Sequence, residues 1–292
     1  MLARKIPRFA LAYDYLLISS LALKFAPIGA TQTAQFSSRR RDPFSATIGN
    51  SLSSLSTRRL CFLGGGSSEE DEMSEIATGM AVVEPKGQHK ATVIFLHGLG
   101  DTGDGWADVF KTDVRHENIK FILPHSASRS VTLNMGMRMP AWYDLYGLDV
   151  SSREDEAGIV AATKYVHSLI DTELIAGIPA AKIAIGGFSM GGALAIYAGL
   201  TYPHKLGAIV GLSSFFLQRD KFPGKYTANN QTNIFLGHGR QDFLVPLQVG
   251  EMSEQLIKKF NPNVQMHLYN MAHSSCQQEL NDLRAFLIKH LM

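Results

Sequence analysis

Three side chains in the second half of this 292-residue sequence could carry out nucleophilic attack on a carbonyl carbon. The first is Ser189, at the centre of GFSMG, a G-x-S-x-G motif. An apolar strand pattern precedes the motif and a helix pattern follows it. In that setting the serine occupies a strained turn that exposes its hydroxyl. The alternative is a glycine-rich turn that only permits close packing, but the strand and helix on either side favour a nucleophile.

A serine hydroxyl is a weak nucleophile unless a base takes its proton. In this strand–turn–helix architecture an acid and then a histidine follow in chain order, each after a later strand. Asp242 follows the predicted strand at 233–236, and His273 follows the predicted strand at 264–269. We therefore predict that Ser189 attacks, that His273 takes and returns the proton, and that Asp242 orients the imidazole.

Other residues of the same types fit these roles less well. His238 lies four residues before Asp242 and is expected to pack beneath that loop, whereas His267 lies inside a strand pattern. His97 belongs to a His-Gly turn, and Asp220 lies in a polar stretch instead of directly after a strand.

Two backbone N–H groups are needed to stabilise the oxyanion that forms during attack. One donor should be Met190, the residue after the nucleophile, and the other should come from the loop after an early strand. That loop contains Gly98 and Gly100, which leave Leu99 as the expected donor. The loop lacks the Gly-Lys-Ser/Thr ending and the glycine spacing of nucleotide-binding loops, so a phosphate site is discounted.

Strand and helix patterns alternate along residues 77–292, which predicts β-α-β units and a mostly parallel sheet with helices on both faces. The predicted strands are 92–96, 120–123, 182–185, 208–212, 233–236 and 264–269. The predicted helices are 154–174, 193–200, 248–260 and 275–291. Ser151 and Glu154 form a capping-box signature for the first of these helices.

Residues 1–72 differ in composition from the rest, so we predict an N-terminal extension followed by one domain at 73–292. Residues 1–66 contain nine Lys and Arg but only two acidic residues. Arg-rich, Ser-rich and acid-poor composition is typical of an organellar transit peptide. A plain disordered extension, an upstream start codon and a secretory signal are the alternatives.

Charge and cysteine content exclude several classes of protein. The near-neutral remainder of the chain lacks the basic face of a nucleic-acid binder. Cys61 and Cys276 are too few for a disulfide framework or a cysteine-rich zinc site, and no cofactor or metal is expected. No segment has the ~20 apolar residues that would span a bilayer.

From about residue 77 to its C-terminus the chain resembles the acyl-protein thioesterase and lysophospholipase branch of the α/β-hydrolases. The matching runs are FLHGLGDTGDGW (95–106), LNMGMRMPAWYDL (133–145), EDEAGI (154–159), GGFSMGGAL (186–194), HGRQDFLVP (238–246) and HSSCQQEL (273–280). Two departures stand out: Met190 replaces the usual glutamine, and Arg240-Gln241 replaces a short Asp-containing sequence.

The resemblance implies an α/β-hydrolase fold and hydrolysis of long-chain acyl thioesters on protein cysteines through an acyl-enzyme. S-acylated proteins would be the substrates, with lysophospholipids as a related substrate and transient association with a membrane surface. A cytoplasmic location is implied, although the extension could direct the chain to the mitochondrion. Candidates for an apolar acyl channel are Trp142, Leu145, Leu148, Phe215, Phe216, Phe243 and Leu244.

Two other functions remain open at this stage. A carboxylesterase or lysophospholipase would use the same three side chains, because they attack oxygen esters and thioesters alike. A catalytically silent binding protein with this fold is the other alternative, and the complete set of Ser189, Asp242 and His273 argues against it.

Overall fold

The structure, a computed structural model, describes residues 76–149 and 151–292. The predicted extension at 1–72, including Cys61, lies outside the described residues, so its role stays a prediction. Within the described part of the chain, no helix combines the length and apolar character needed to cross a membrane.

Seven strands form one central sheet in the order β1-β3-β2-β6-β7-β8-β9, and two more form a separate hairpin. β1 is antiparallel to its neighbour β3, whereas every other pairing in the central sheet is parallel. The central strands are β1 (Ala77–Val83), β2 (Ala91–Leu96), β3 (Ile119–Ser126), β6 (Ile183–Phe188), β7 (Ala208–Leu212), β8 (Asn233–Gly239) and β9 (Val264–Tyr269). The hairpin consists of β4 (Ser128–Val131) and β5 (Met137–Pro140).

In the part of the chain that the structure describes, five α-helices connect and cover the sheet: α1 (Gly103–Lys111), α2 (Glu156–Ile175), α3 (Met190–Thr201), α4 (Leu247–Lys258) and α5 (Gln277–Leu291). The four predicted helices correspond to α2–α5, while α1, β1 and the hairpin were not predicted. The capping-box prediction is wrong: Asp155 caps α2 by accepting the Gly158 N–H (3.0 Å), and Glu154 instead binds Gln218.

Two apolar cores lie on opposite faces of the sheet, which confirms the predicted layering. Ile94 and Leu96 of β2 join the core built by α2 and α3. Val93 and Phe95, which alternate with them, join the core built by α1 and α5. Strands that are buried on both faces explain the continuous apolar runs of the sequence.

The chain changes its direction of winding at β2. After β2 it passes through α1 to β3 on one side, and later returns through α2 to β6 on the other side. The carboxyl ends of β2 and β6 therefore meet at a topological switch point, where open α/β sheets form their ligand sites. Leu99 follows β2 and Ser189 follows β6, so the fold brings both to this edge of the sheet.

Candidate active site

Ser189 occupies a sharp turn between β6 and α3. Its backbone φ is 52° and its ψ is −120°, a strained combination for a residue with a side chain. Its N–H donates to the Leu212 carbonyl of the neighbouring strand (2.8 Å). Gly191 follows in the first turn of α3, where a Cβ would collide with the Leu96 and His97 carbonyls. Glycine there allows the nucleophile turn to lie directly against the loop after β2.

The side chains of Ser189, His273 and Asp242 form a continuous chain of hydrogen bonds. The Ser189 hydroxyl donates to Nε2 of His273 (3.0 Å), and the Nδ1–H of the same ring donates to Oδ2 of Asp242 (2.7 Å). The hydrogen-bond partners assign the imidazole tautomer. The structure therefore brings the three predicted residues together in the geometry that base-assisted attack by a hydroxyl requires.

The Asp242 carboxylate is buried and has a donor on each oxygen. Its Oδ1 accepts the N–H groups of Leu244 (3.0 Å) and Val245 (2.9 Å), leaving Oδ2 for His273. His238 lies beneath this loop, as predicted: its Nε2 donates to the Val245 carbonyl (2.8 Å), and burial lowers its pKa. A neutral His238 therefore supports the acid without competing for its role.

The acid and the base are also joined through their backbones. In the loop after β8, the N–H of Arg240 donates to the Tyr269 carbonyl (2.8 Å) and that of Gln241 donates to Met271 (3.1 Å). Both acceptors belong to the end of β9 and the segment that leads to His273. This loop pair holds the Asp–His distance independently of the side-chain hydrogen bond.

The two expected oxyanion donors belong to two segments that adjoin the nucleophile. Met190 begins α3, so its N–H belongs to the unpaired amides of a helix N-terminus. Leu99 lies in the loop after β2, beside Gly98, whose position for a Cβ would be 3.5 Å from the Ser189 Cβ. Among the described residues, no carbonyl accepts the Leu99 or Met190 N–H. The Met190 side chain is buried in the core, so this residue faces the reaction with its backbone.

The loop after β2 is held by its first residue, His97. The indole of Trp142 donates to the His97 carbonyl (2.9 Å), and the His97 Nδ1–H donates to the Gly98 carbonyl (2.7 Å). Its other ring nitrogen, Nε2, accepts the Ser126 N–H (3.0 Å). Burial lowers the pKa of His97 to about 4, which keeps the imidazole neutral and able to accept. The role of His97 in supporting the loop was not predicted.

An open cleft lies between the segments at 143–149 and 152–155, the loop after β7 and α4. Its apolar wall consists of Leu145, Leu148, Phe215, Phe216, Leu217, Val249, Met252 and Leu256. Ser189 is not among the lining residues, but the loop after β7 begins at the same sheet edge as the nucleophile.

The candidate substrate-binding residues separate into two groups. Leu145 lines the cleft, as do Leu148, Phe215 and Phe216. Trp142, Phe243 and Leu244 do not line it. Trp142 is fully buried, and its indole N–H donates to the His97 carbonyl at the start of the oxyanion loop. Phe243, next to Asp242 in the chain, is 85% exposed.

No group of three or more His, Cys, Asp or Glu side chains within residues 76–149 and 151–292 is arranged to hold a metal ion. Cys276 is partly buried and precedes α5 directly. It packs with the apolar core on the α1 and α5 face.

Comparison with known proteins places this geometry among related enzymes. The phospholipase/carboxylesterase family model matches residues 77–291. Acyl-protein thioesterase 1 of Neurospora crassa is 44% identical over 216 residues, which cover 70% of this chain and 88% of that protein. The protein of the same name from Yarrowia lipolytica is 39% identical over 218 residues, covering 72% of this chain and 96% of that protein.

Solved structures show the same relationship. Acyl-protein thioesterase 2 of Zea mays superposes with a TM-score of 0.67 at 31% identity, covering 73% of this chain and 99% of that chain. Arabidopsis thaliana SOBER1 superposes with a TM-score of 0.66 at 27% identity, covering 70% and 100%. These matches confirm the predicted α/β-hydrolase fold, and the chain belongs to the phospholipase/carboxylesterase family of hydrolases.

Proposed function

We propose that this protein hydrolyses the thioester that joins a long-chain acyl group to a protein cysteine. The observation that carries the proposal is the chain of hydrogen bonds from Asp242 through His273 to Ser189, on a strained turn beside the Leu99 and Met190 N–H groups, which no carbonyl of the described residues accepts. Relatives named acyl-protein thioesterase 1, at 39% and 44% identity, support the choice of substrate.

The first half of the reaction acylates the enzyme. His273 Nε2 takes the proton as Ser189 Oγ attacks the acyl carbon, and the carbonyl oxygen becomes an oxyanion held by the Leu99 and Met190 N–H groups. Collapse of this intermediate breaks the carbon–sulfur bond. The proton on His273 then passes to the leaving cysteine thiolate, which departs as a thiol.

The second half releases the fatty acid. A water molecule gives one proton to His273 Nε2 and attacks the acyl carbon of the Ser189 ester, and the same two N–H groups hold the second oxyanion. The carbon–oxygen bond to Ser189 then breaks, and His273 returns the proton to the serine. Asp242 stays ionised throughout and stabilises the imidazolium that forms in each half.

The acyl chain is assigned to the cleft formed by 143–149, 152–155, the loop after β7 and α4. Burial of each methylene contributes about 0.8 kcal/mol, so an apolar wall favours long chains over short ones. On α4, Met252 faces the cleft while Gln255 of the same helix is exposed and lies outside it. These two positions provide a matched pair for testing the assignment.

We expect Met252→Trp to lower kcat/KM for a palmitoylated peptide about 10- to 100-fold, because the indole fills the space of the chain. Hydrolysis of a butyryl thioester should stay within about twofold of the parent rate. Gln255→Trp should behave like the parent on both substrates. Equal losses on palmitoyl and butyryl donors would contradict the assignment of the cleft to the acyl chain.

Carboxylesterase or lysophospholipase activity is the second candidate. It is favoured because the matching family is described as phospholipase/carboxylesterase. The same assay distinguishes the two functions when a lysophospholipid is included among the donors. A kcat/KM at least about tenfold higher on the palmitoylated peptide supports thioester hydrolysis as the main activity. A higher value on the lysophospholipid would assign the second function instead.

A cytoplasmic enzyme that associates transiently with membrane surfaces is also proposed, because its substrates carry lipids. The support is the β4–β5 hairpin, whose connecting segment exposes Met135 (80%) and whose strand β5 begins with Met137 (42% exposed). When phosphatidylcholine vesicles are sedimented, the parent protein should be found in the pellet and a Met135→Ser/Met137→Ser variant in the supernatant. Equal sedimentation of both proteins would exclude the hairpin as the contact.

A further inference from the structure

Two histidines connect the loop after β2 and the start of α1 to the end of β3. One histidine lies on the loop and accepts an N–H of β3, and the other lies on β3 and accepts an N–H of α1. His97, the first residue of the loop, accepts the Ser126 N–H on its Nε2 (3.0 Å). His125, the residue before Ser126, accepts the Gly103 N–H on its Nδ1 (3.0 Å). The oxyanion loop, residues 97–102, is thus fixed to the same strand at both of its ends.

We propose that His125 is a positioning residue for hydrolysis: by accepting the Gly103 N–H it fixes the far end of the oxyanion loop and so aims the Leu99 N–H at the oxyanion. The inference rests on the proposed function, because it concerns the same site. His125 itself does not touch the reacting atoms and acts through the backbone of the loop.

The two ends of the oxyanion loop are supported differently. At its first residue, the Trp142 indole and the Gly98 carbonyl join Ser126 in holding His97. In the middle, the Gly100 N–H donates to the Pro140 carbonyl (2.7 Å). At the far end, Asp101 Oδ1 accepts the Thr102 N–H (2.7 Å) and Gly103 lies directly against the Leu123 backbone of β3, and the Gly103 N–H is held by the His125 imidazole (3.0 Å).

The start of α1 has no acceptor of its own for the Gly103 N–H. Gly103 is the first residue of α1, and the amides of a first turn have no carbonyl partner within their own helix. Thr102 occupies the capping position, yet among the described residues its side chain makes no capping hydrogen bond. His125 supplies the missing acceptor from a neighbouring strand.

A shift at the start of α1 would also displace residues next to the nucleophile, because aromatic side chains connect α1 to them. Trp106 of α1 packs on Phe188 with ring centroids 5.4 Å apart. Phe188 directly precedes Ser189 and packs on the His273 ring at 4.8 Å. The position of α1 is therefore linked both to the Leu99 donor and to the residues that perform proton transfer.

Because His125 accepts the Gly103 N–H through Nδ1, asparagine and glutamine at position 125 form a matched pair of substitutions that test this role. When Nδ1 accepts, the ring proton is on Nε2, which lies 4.0 Å from the Asp104 carboxylate; that carboxylate is largely exposed. Asparagine places its side-chain oxygen close to the position of Nδ1, whereas glutamine places its amide one bond farther out. The His125 side chain is 22% exposed, so both amides fit a partly solvated site.

The test compares His125→Asn with His125→Gln in the full chain, with both variants and the parent measured at the same pH. The substrate is a short-chain p-nitrophenyl ester, for which kcat and KM are measured separately. We expect His125→Asn to keep kcat within about threefold of the parent and His125→Gln to lose about 10- to 100-fold in kcat. KM should change little in both variants, because the loop acts on the oxyanion and not on ground-state binding.

Each outcome decides a separate question. A His125→Gln variant with parental kcat would overturn the positioning role, as would equal losses in both variants or a change confined to KM. Ser189→Ala is measured beside them: if it retains turnover the proposed function fails, whereas an inactive Ser189→Ala with a fully active His125→Gln rejects the His125 inference alone. Thermal unfolding of the pair should agree within a few degrees, so that a loss of kcat reflects the site.

Discussion

Replacement of Ser189 by alanine is expected to lower kcat about 10⁴- to 10⁶-fold on any acyl donor that the parent hydrolyses. The loss follows because the Oγ that forms the acyl-enzyme is gone, while the two backbone N–H donors remain. The residual rate should come from these donors and from binding alone. The decisive measurement is steady-state turnover together with labelling by a fluorophosphonate probe, which should disappear in the variant.

The control for this variant is Ser275→Ala, which removes a hydroxyl two residues from His273 without touching the chain of hydrogen bonds. It should keep the parental kcat and the parental label. The melting temperature of Ser189→Ala should not fall, because the alanine keeps the backbone turn and the Ser189 hydroxyl contributes no buried apolar surface. Turnover by Ser189→Ala above about 1% of the parent rate would remove the serine from the mechanism.

Replacement of Glu279 by glutamine is expected to stabilise the protein, and to do so increasingly as the pH rises. Glu279 lies fully buried in the first turn of α5, against Gly237 of β8, and neither carboxyl oxygen has a hydrogen-bond partner among the described residues. Burial, with a further contribution from Asp282, raises the pKa of Glu279 to about 8. The native state therefore holds a proton that the unfolded chain releases at about pH 4.5.

The direction of the pH effect follows from this difference. Between about pH 4.5 and pH 8 the native state binds more protons than the unfolded state, so the free energy of unfolding falls as the pH rises through this window. Below the window the carboxyl is neutral in both states and contributes no pH dependence. A shift of this size corresponds to as much as about 5 kcal/mol across the window, and the glutamine variant lacks it.

Urea unfolding of both proteins at about pH 5 and about pH 9 measures this difference directly. We expect the stability of Glu279→Gln relative to the parent to rise by about 3–5 kcal/mol between the two pH values. The exposed Glu117→Gln variant is the control and should show no such rise. If the two proteins differ in free energy of unfolding by the same amount at both pH values, the buried carboxyl does not change its protonation between them, which would contradict the raised pKa.

The order of elements and the three reactive side chains could be predicted because their signals are local. An apolar strand, a glycine-flanked serine and a following helix are contiguous, and the loops that hold Asp242 and His273 each follow a recognisable strand. The short α1 was missed because the glycine-rich loop before it dominates the pattern. Strand β1 was missed because its exposed face weakens the apolar signal.

The remaining features depend on partners that are distant in the sequence. His125 acts on Gly103, which lies 22 positions earlier, and no local pattern identifies it as an acceptor. Glu279 reads as an ordinary acidic residue at a helix start until the fold buries it against Gly237. Trp142 was predicted to face an acyl chain, but a buried indole needs an acceptor for its N–H and finds one in the oxyanion loop.

The backbone hydrogen bonds between the loops after β8 and β9 join the acid and the base into a single unit, and none of the residues in these bonds lines the apolar cleft. Its lining residues come from other stretches of chain: 143–149, 152–155, 215–217, Arg219, and Val249, Met252, Ser253 and Leu256 of α4. On the proposed assignment of the acyl chain to this cleft, substitutions at its lining residues change the preferred substrate and leave the proton-transfer residues unchanged. One fold can thereby support related enzymes that share a reaction and differ in substrate specificity.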